Sequence, residues 1–303
     1  MSSALSKKDI VCSKKSIIDR YGEWVGYNIH LSHGIYTKGA DVSAGVQERR
    51  YLQVIADLLR KPFADLRILD LGCLEDGVAI ECGMQGAEVV GIDGRAAHIA
   101  KARWTAEVLG LERVQLWQDD VRNITLQKYG SFDVIFCLGL LYHLDAPSLL
   151  PFLRSIYGMT DSIAMFDTHV SLGPETSFED GGKTYYGRIM SEHREGASDE
   201  EKLSSVWASL NNHESFWFTR TSLFNALCHA GFSSAYENHV PIIPAALYLD
   251  RCTVLALKRS PVTLRSVPPA CVSCVCEGAP EIDSSSRHQL PPQPLYAYPP
   301  YSG

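Results

Sequence analysis

Between Leu66 and Asp145 the chain repeats one pattern: a short apolar run closed by a carboxylate, then a stretch with helical spacing. Leu66-Arg67-Ile68-Leu69-Asp70-Leu71-Gly72-Cys73 is the first run and Ala87-Glu88-Val89-Val90-Gly91-Ile92-Asp93 the second. Val114-Gln115-Leu116-Trp117 ends at Asp119 and Asp120, and Phe132-Asp133-Val134-Ile135-Phe136-Cys137 leads into Leu138-Gly139-Leu140-Leu141-Tyr142-His143. Runs this short and this apolar read as strands buried on both faces, since a strand open to water on one side would alternate with polar residues. With helical stretches such as Arg95 to Leu109 between them, they predict a doubly wound, mostly parallel α/β sheet. Its crossovers should be right-handed and its ligand should lie beyond the carboxyl ends of the strands.

The flanks extend this frame. Residues 1–60 read as a helical N-terminal cap: a polar, basic start with a helix forming near Ser16, an aromatic and glycine-rich loop from Tyr21 to Gly39, and helical spacing from Val46 to Leu59. The loop, with Trp24, Tyr27 and Tyr36, is able to fold over a pocket or to fix the cap to the core. Residues 61–258 form the central domain. A helix near Ser148–Tyr157 precedes a fifth strand, Ser162–Phe166, that ends in Asp167-Thr168-His169; Ser234 to Val240 and Cys252 to Leu257 bring the strands to seven. Residues 171–215 lack an apolar period and fall at the ligand end of the sheet, so they read as a lid. Trp104 and Trp117 read as core. From 259 to 303 prolines and serines dominate and a disordered tail is expected. Cys271, Cys274 and Cys276 in that tail have no second ligand pair at zinc-site spacing, and no metal is expected.

A chain of 303 residues can bury one substantial core. Its formal net charge of −7 gives no cationic field for a phosphate backbone, which counts against nucleic acid as a partner while leaving a local basic patch possible. The nine cysteines are scattered, several inside expected strands, and Met1-Ser2-Ser3-Ala4 does not open a signal peptide, so a reducing cytoplasm is the expected setting. No apolar run approaches the roughly 20 residues of a membrane span. Oligomeric state leaves no signature.

The strand ends decide the ligand. A dinucleotide site would offer G-x-G-x-x-G and a bare helix amino terminus for pyrophosphate. Here the first turn is Gly72-Cys73-Leu74-Glu75-Asp76-Gly77, which sets two carboxylates where phosphates would sit. A cofactor carrying a sulfonium and an ammonium group suits such a rim. Asp93 stands where an acid accepts both ribose hydroxyls, and Asp119 or Asp120 can accept from an adenine amino group with the next backbone N–H, that of Val121, facing a ring nitrogen. Together these positions describe S-adenosylmethionine.

The same residues carry a resemblance. Ile68-Leu69-Asp70-Leu71-Gly72-Cys73, Val90-Gly91-Ile92-Asp93, Gln118-Asp119-Asp120-Val121 and Phe132-Asp133-Val134-Ile135, over about residues 50–257, resemble the class I S-adenosylmethionine-dependent methyltransferases, a Rossmann-like seven-stranded family. That resemblance implies Asp70, Gly72 and Cys73 at the methionyl part, Asp93 with Gly94 at the ribose, and Asp120 beside Asp119 at the adenine. The family turn commonly has glycines where Leu74 and Asp76 stand. Leu138-Gly139-Leu140-Leu141-Tyr142-His143 and Asn28-Ile29-His30-Leu31 are similar to the branch holding tRNA wobble-uridine carboxymethyltransferases and many small-molecule methyltransferases. The likeness implies Leu138 and Tyr142 beside the cofactor, with Lys38 as the one evident cation.

The expected activity is therefore methyl transfer to O, N or C of a small-molecule acceptor. The alternatives are tRNA wobble-base modification, and a cofactor-binding regulatory or scaffold protein without turnover. His143 is either a general base or a structural imidazole, and Asp167 with His169 forms an acid–imidazole pair for deprotonating an acceptor. Tyr36, Lys38, Tyr185 and Trp217 are the candidates for holding the acceptor.

Overall fold

The structure, a computed structural model, describes residues 5–39, 46–239 and 249–260. The expectations for the tail from residue 261 and for its three cysteines lie outside those residues. In order the chain forms α1 (Lys7–Tyr21), β1 (His30–Ser32), β2 (Ile35–Tyr36), α2 (Val46–Leu59), β3 (Arg67–Leu71), α3 (Gly77–Met84), β4 (Glu88–Asp93) and α4 (Ala96–Leu109). There follow β5 (Val114–Gln118), α5 (Leu126–Tyr129), β6 (Phe132–Leu138), α6 (Ala146–Met159), β7 (Thr160–His169), β8 (Thr176–Asp180) and β9 (Lys183–Ser191). The last elements are α7 (Asp199–Ser204), β10 (Glu214–Phe218), α8 (Arg220–Ala230), β11 (Ser234–Asn238) and β12 (Arg251–Leu257).

Seven strands make the mostly parallel central sheet, in the order β11-β12-β7-β6-β3-β4-β5. β3 pairs in parallel with both β4 and β6, while β12 runs antiparallel to β7 and β11. Chain order therefore moves outward from β3 in one direction and from β6 in the other, which opens a crevice at the carboxyl ends of these neighbours. The pleat sorts the apolar runs between two cores. Leu69 and Leu71 of β3 and Ile135 of β6 share one with Leu153 of α6 and Leu227 of α8. Ile68 and Val134 share the other with Ile55 of α2 and Val78 of α3.

Three details differ from the expectations. Helix α1 starts at Lys7, well before Ser16, because Ser6 and Asp9 form a capping box: the Asp9 N–H donates to Ser6 Oγ at 3.3 Å and the Ser6 N–H to Asp9 Oδ2 at 3.2 Å. Ile10 then anchors this otherwise polar helix in a cluster with Trp24, Leu31 and Trp104. Trp117 is 49% exposed, since β5 is an edge strand covered on one side only. Residues 171–215, which show no apolar period, supply β8, β9 and the start of β10 in a three-stranded antiparallel sheet, β10-β9-β8. Gly181 and Gly182, at φ +57° and +72°, form the two-residue turn between Asp180 and Lys183, where a mirror-image turn needs left-handed backbone twice. Phe178, Phe216 and Phe218 of this sheet pack onto the α6/α8 core, and the Phe216 N–H donates to Leu144 O at 2.9 Å. The small sheet thus stands beside the turn that follows β6.

Candidate active site

β3 runs out at Leu71 and the backbone reverses: Gly72 and Cys73 both donate N–H to Ile92 O, at 2.8 and 3.0 Å. Gly72 has φ +68°, and a Cβ there would lie 3.1 Å from the Leu140 side chain, so this is a close approach that needs glycine. Leu74 and Asp76 also hold positive φ, at +52° and +68°, although each bears a side chain. Such conformations cost about 1–2 kcal/mol each. Asp76 recovers part of that by accepting the Ala79 N–H at 2.9 Å as the cap of α3. Leu74 occupies the space above Gly26, which any side chain there would fill. Glu75 is wholly buried and accepts from the N–H of Val25 at 2.8 Å, that of Gly26 at 2.9 Å and Lys101 Nζ at 2.5 Å. The two carboxylates that the sequence placed before the ligand thus turn inward, one capping a helix and the other tying the N-terminal segment to the turn.

Asp93 closes β4 at 7% exposure. Its Oδ2 accepts the Leu74 N–H at 3.1 Å, its Oδ1 accepts the Arg95 N–H at 2.8 Å, and His98 Nδ1 lies 3.1 Å from Oδ1. Beneath it Asp70 is buried; burial first, then repulsion from Asp93, push its carboxyl up to about 8. Asp70 is therefore protonated at neutral pH. Asp120 accepts both the backbone N–H and the guanidinium of Arg122, with Nε 3.0 Å from each carboxylate oxygen. Burial alone would raise its pKa, but these bonds hold it below the ordinary carboxylate value.

These strand ends and the 206–212 segment enclose a cleft of about 300 Å³. Three arginines stand in its wall and each is already engaged. Arg95 donates to the carbonyls of Leu203, Ser205, Ala208 and Ser209 at 2.9–3.1 Å. Arg122 binds Asp120 and, at 2.7 Å, Asn211 Oδ1; Arg251 binds Asp167 through Nε at 2.6 Å and Nη2 at 2.5 Å. Asp93 and Asp120 line the cleft beside them, and with every arginine of the lining already engaged none is free to bind a pyrophosphate.

A methyltransferase-domain family matches residues 68–162 of this chain. The chain has a class I S-adenosylmethionine-dependent methyltransferase domain. Its cofactor is S-adenosylmethionine, and the site fits that group: a buried carboxylate on the second strand, an acid on the third, a glycine cradle on the first, and no unpaired cation among the described residues of the wall. Over 85 residues the domain is 28% identical to a ubiquinone biosynthesis O-methyltransferase of Acinetobacter baumannii, a match covering 28% of this chain and 36% of that protein. The chain thus spans about a third of the length of the curated relatives it matches. Its fold is that of the N-terminal domain of EvdMO1, solved in the presence of S-adenosylhomocysteine and D-fucose. The TM-score is 0.64 at 23% identity, over 86% of this chain and all of that one. It also resembles the 1,6-didemethyltoxoflavin-N1-methyltransferase of Burkholderia thailandensis, with a TM-score of 0.50 at 16% identity, over 86% of this chain and 94% of that one.

In the methyltransferase domain, Gly72, Asp93, Gly94, Asp120, Val121, Leu138, Tyr142 and His143 all line the cleft. Asp70 and Cys73 lie behind its wall, and burial pushes the Cys73 thiol well up. Asp119 faces away, holding Lys128 Nζ and the Tyr129 hydroxyl at 2.6 Å each.

The Asp167–His169 pair does not form. Asp167 is taken by Arg251, by Thr253 Oγ1 at 2.9 Å and by the Tyr51 hydroxyl at 3.1 Å, because strand register sets Thr253 opposite it and Arg251 opposite His169, two residues along on the same face. His169 instead stacks on Trp217, with centroids 4.6 Å apart, and burial followed by Arg251 lowers its pKa. Trp217 lies behind Tyr142 as a support, 5.7 Å from its ring. Tyr185 is buried at 1% exposure, with its hydroxyl 2.8 Å from His229 Nδ1, since the inward side of β9 packs on the core. Tyr36 packs at a tilt against His30 in the β1–β2 hairpin, and Lys38 Nζ donates to Val25 O at 2.9 Å. None of these four reaches the cleft lining.

Residues the sequence did not single out are Leu140, Arg95 and Glu192, while 206–210 falls within the stretch expected as a lid. Arg95 carried a signal: a cation at a helix amino terminus is disfavoured by the dipole unless its side chain is used elsewhere. Glu192 carried none.

Proposed function

We propose that this chain transfers a methyl group from S-adenosylmethionine to a small-molecule acceptor by in-line displacement. The observation that carries the reading is Asp93: a buried carboxylate at a strand end, fixed by two backbone N–H groups and facing a cleft with no free cation among the described residues. Asp93 with Gly94 would hold the ribose, Asp120 and Val121 the adenine edge, and the backbone of Gly72 and Leu138 the methionyl end. When bound, the cofactor supplies an electrophilic methyl carbon on cationic sulfur. The protein's share is alignment and exclusion of water, the two needs of a displacement with no covalent intermediate. Tyr142 walls the reacting region, and burial raises its phenol, which keeps it protonated and able to donate. Residues 1–60 serve as a cap and 171–215 as a lid, held shut by Arg95.

A cleft of about 300 Å³ whose arginines are all paired supports a small acceptor over RNA. The O-methyltransferase and N-methyltransferase relatives act on small molecules, in keeping with that choice. The test is incubation of the protein with methyl-labelled cofactor and a native cell extract. Label in a small-molecule fraction is the expected result; label in tRNA would overturn it.

A further inference from the structure

We propose that Glu192, just past β9, is a positioning residue that fixes His143 as the proton acceptor for a hydroxyl group, so that the acceptor is a neutral alcohol or phenol and the product a methyl ether. The inference deepens the methyl-transfer reading and rests on it. His143 lies in the turn after β6 and lines the cleft. Its Nδ1 sits 3.0 and 2.9 Å from the two Glu192 oxygens. A carboxylate only accepts, so Nδ1 carries the hydrogen and the lone pair falls on Nε2, which has no hydrogen bond to a described residue.

The pair is held from both sides. Glu192 Oε2 accepts the Ser209 N–H at 2.7 Å, and Asn212 Nδ2 donates to His143 O at 2.9 Å, so the lid that covers the cleft also sets the imidazole. Burial alone would raise the Glu192 pKa, yet the bonds from His143 and Ser209 hold it below the ordinary value, and it is ionised at neutral pH. Around the pair stand Tyr142 in the same turn, His169 against the Tyr142 ring, Arg95 near Glu192, and the closed Arg251–Asp167 pair. Arg95 is bound to lid carbonyls, so Glu192 remains the carboxylate available to an imidazolium.

As the O–CH3 bond forms, the acceptor's hydroxyl proton passes to His143 Nε2. The S–CH3 bond breaks with its electron pair left on sulfur, which becomes a neutral thioether. The positive charge moves from sulfur to the imidazolium, where Glu192 stabilises it, and the proton then leaves to water. A tertiary amine has no proton to lose and would make no use of this pair. A hydroxyl does.

The experiment compares the full-length wild-type chain with Glu192→Gln and Glu192→Asp by three measurements. Nitrogen NMR of histidine-labelled protein at pH 8, without cofactor, reads the His143 tautomer. Calorimetry with S-adenosylhomocysteine reads the cofactor site. Methyl-label transfer into a native small-molecule extract reads turnover. Expected are a single Nδ1–H tautomer in the wild type and a mixture in Glu192→Gln, with homocysteine-nucleoside affinity unchanged within about twofold. Turnover should fall by about 10²-fold at unchanged KM, be partly restored in Glu192→Asp, and yield a methyl ether. An Nε2–H tautomer in the wild type, full turnover by Glu192→Gln, or an N-methyl product would overturn the assignment. Failure of the wild type to bind S-adenosylhomocysteine would instead remove the methyl-transfer reading, and the acceptor assignment with it.

Discussion

The two halves of the cleft are built differently. On the cofactor half, Gly72, Asp93 and Asp120 come from consecutive strand ends, and the contacts that fix them are mostly local backbone bonds, such as Arg95 N–H to Asp93 two residues away. On the lid half, each wall is a side chain reaching across the fold: His143 to Glu192 over 49 residues, Asp167 to Arg251 over 84, Arg95 to Ser209 over 114. A nucleoside site made of strand ends follows from the sheet itself. An acceptor site made of distant pairs is free to change with the lid while the sheet stays fixed.

If the halves are this separate, damage to the cofactor half should cost fold and cofactor together, and damage to the lid half should spare the fold. The largest effect is expected at Lys101→Met, which strands the Glu75 carboxylate in a fully buried site: about 3–5 kcal/mol of stability should be lost, read from the midpoint and slope of urea denaturation. A loss under about 1 kcal/mol would mean that the turn and the N-terminal segment are not joined as described. Next, Asp93→Ala removes charge-assisted acceptors and should weaken S-adenosylhomocysteine binding by about 10²-fold in calorimetry. Unchanged affinity would put the ribose elsewhere. Arg95→Met unties the lid carbonyls of Lys202, Leu203, Ser205, Ala208 and Ser209 but leaves the sheet intact, so the melting curve should hold while release of the same nucleoside quickens by about tenfold in stopped flow.

The contrast also marks how far the sequence could be read. The seven strands of a mostly parallel sheet and the cleft's acids were legible because a parallel strand under two layers of helix must be apolar along its length and must end where its polar ligand begins. The small sheet at the lid was not, since a sheet edge of alternating residues looks irregular next to such runs; Gly181-Gly182 between Asp180 and Lys183 was the one local clue to its hairpin. Glu75 and Asp76 were read as facing the ligand because composition gives charge but not direction; direction came from Lys101, 26 residues on, and from a helix cap. Tyr185 and Tyr36 fell away for the same reason. An aromatic side chain suits a pocket and a core equally well, and only the strand register decides between them.

A proton-linked effect tests the join between the halves, at Asp70. Its carboxyl is lifted from the ordinary 3.8 to about 8 by burial and by Asp93, so the unfolded chain loses this proton near pH 4 while the fold keeps it to about pH 8. Stability from this group is therefore complete below about pH 4, declines as pH rises through that window, and levels off above about pH 8. Asp70→Asn has no proton to lose. Its melting temperature without cofactor should match the wild type near pH 4 and exceed it by a margin that widens up to about pH 8. A cationic ligand above Asp93 would draw the proton off Asp70. Binding of S-adenosylmethionine at pH 7 should thus release protons in the wild type and not in Asp70→Asn, as measured by calorimetry in buffers of different ionisation enthalpy. Equal release from both would show that the sulfonium and ammonium charges sit too far from β3 to be felt there, and that the cofactor half extends toward the lid instead.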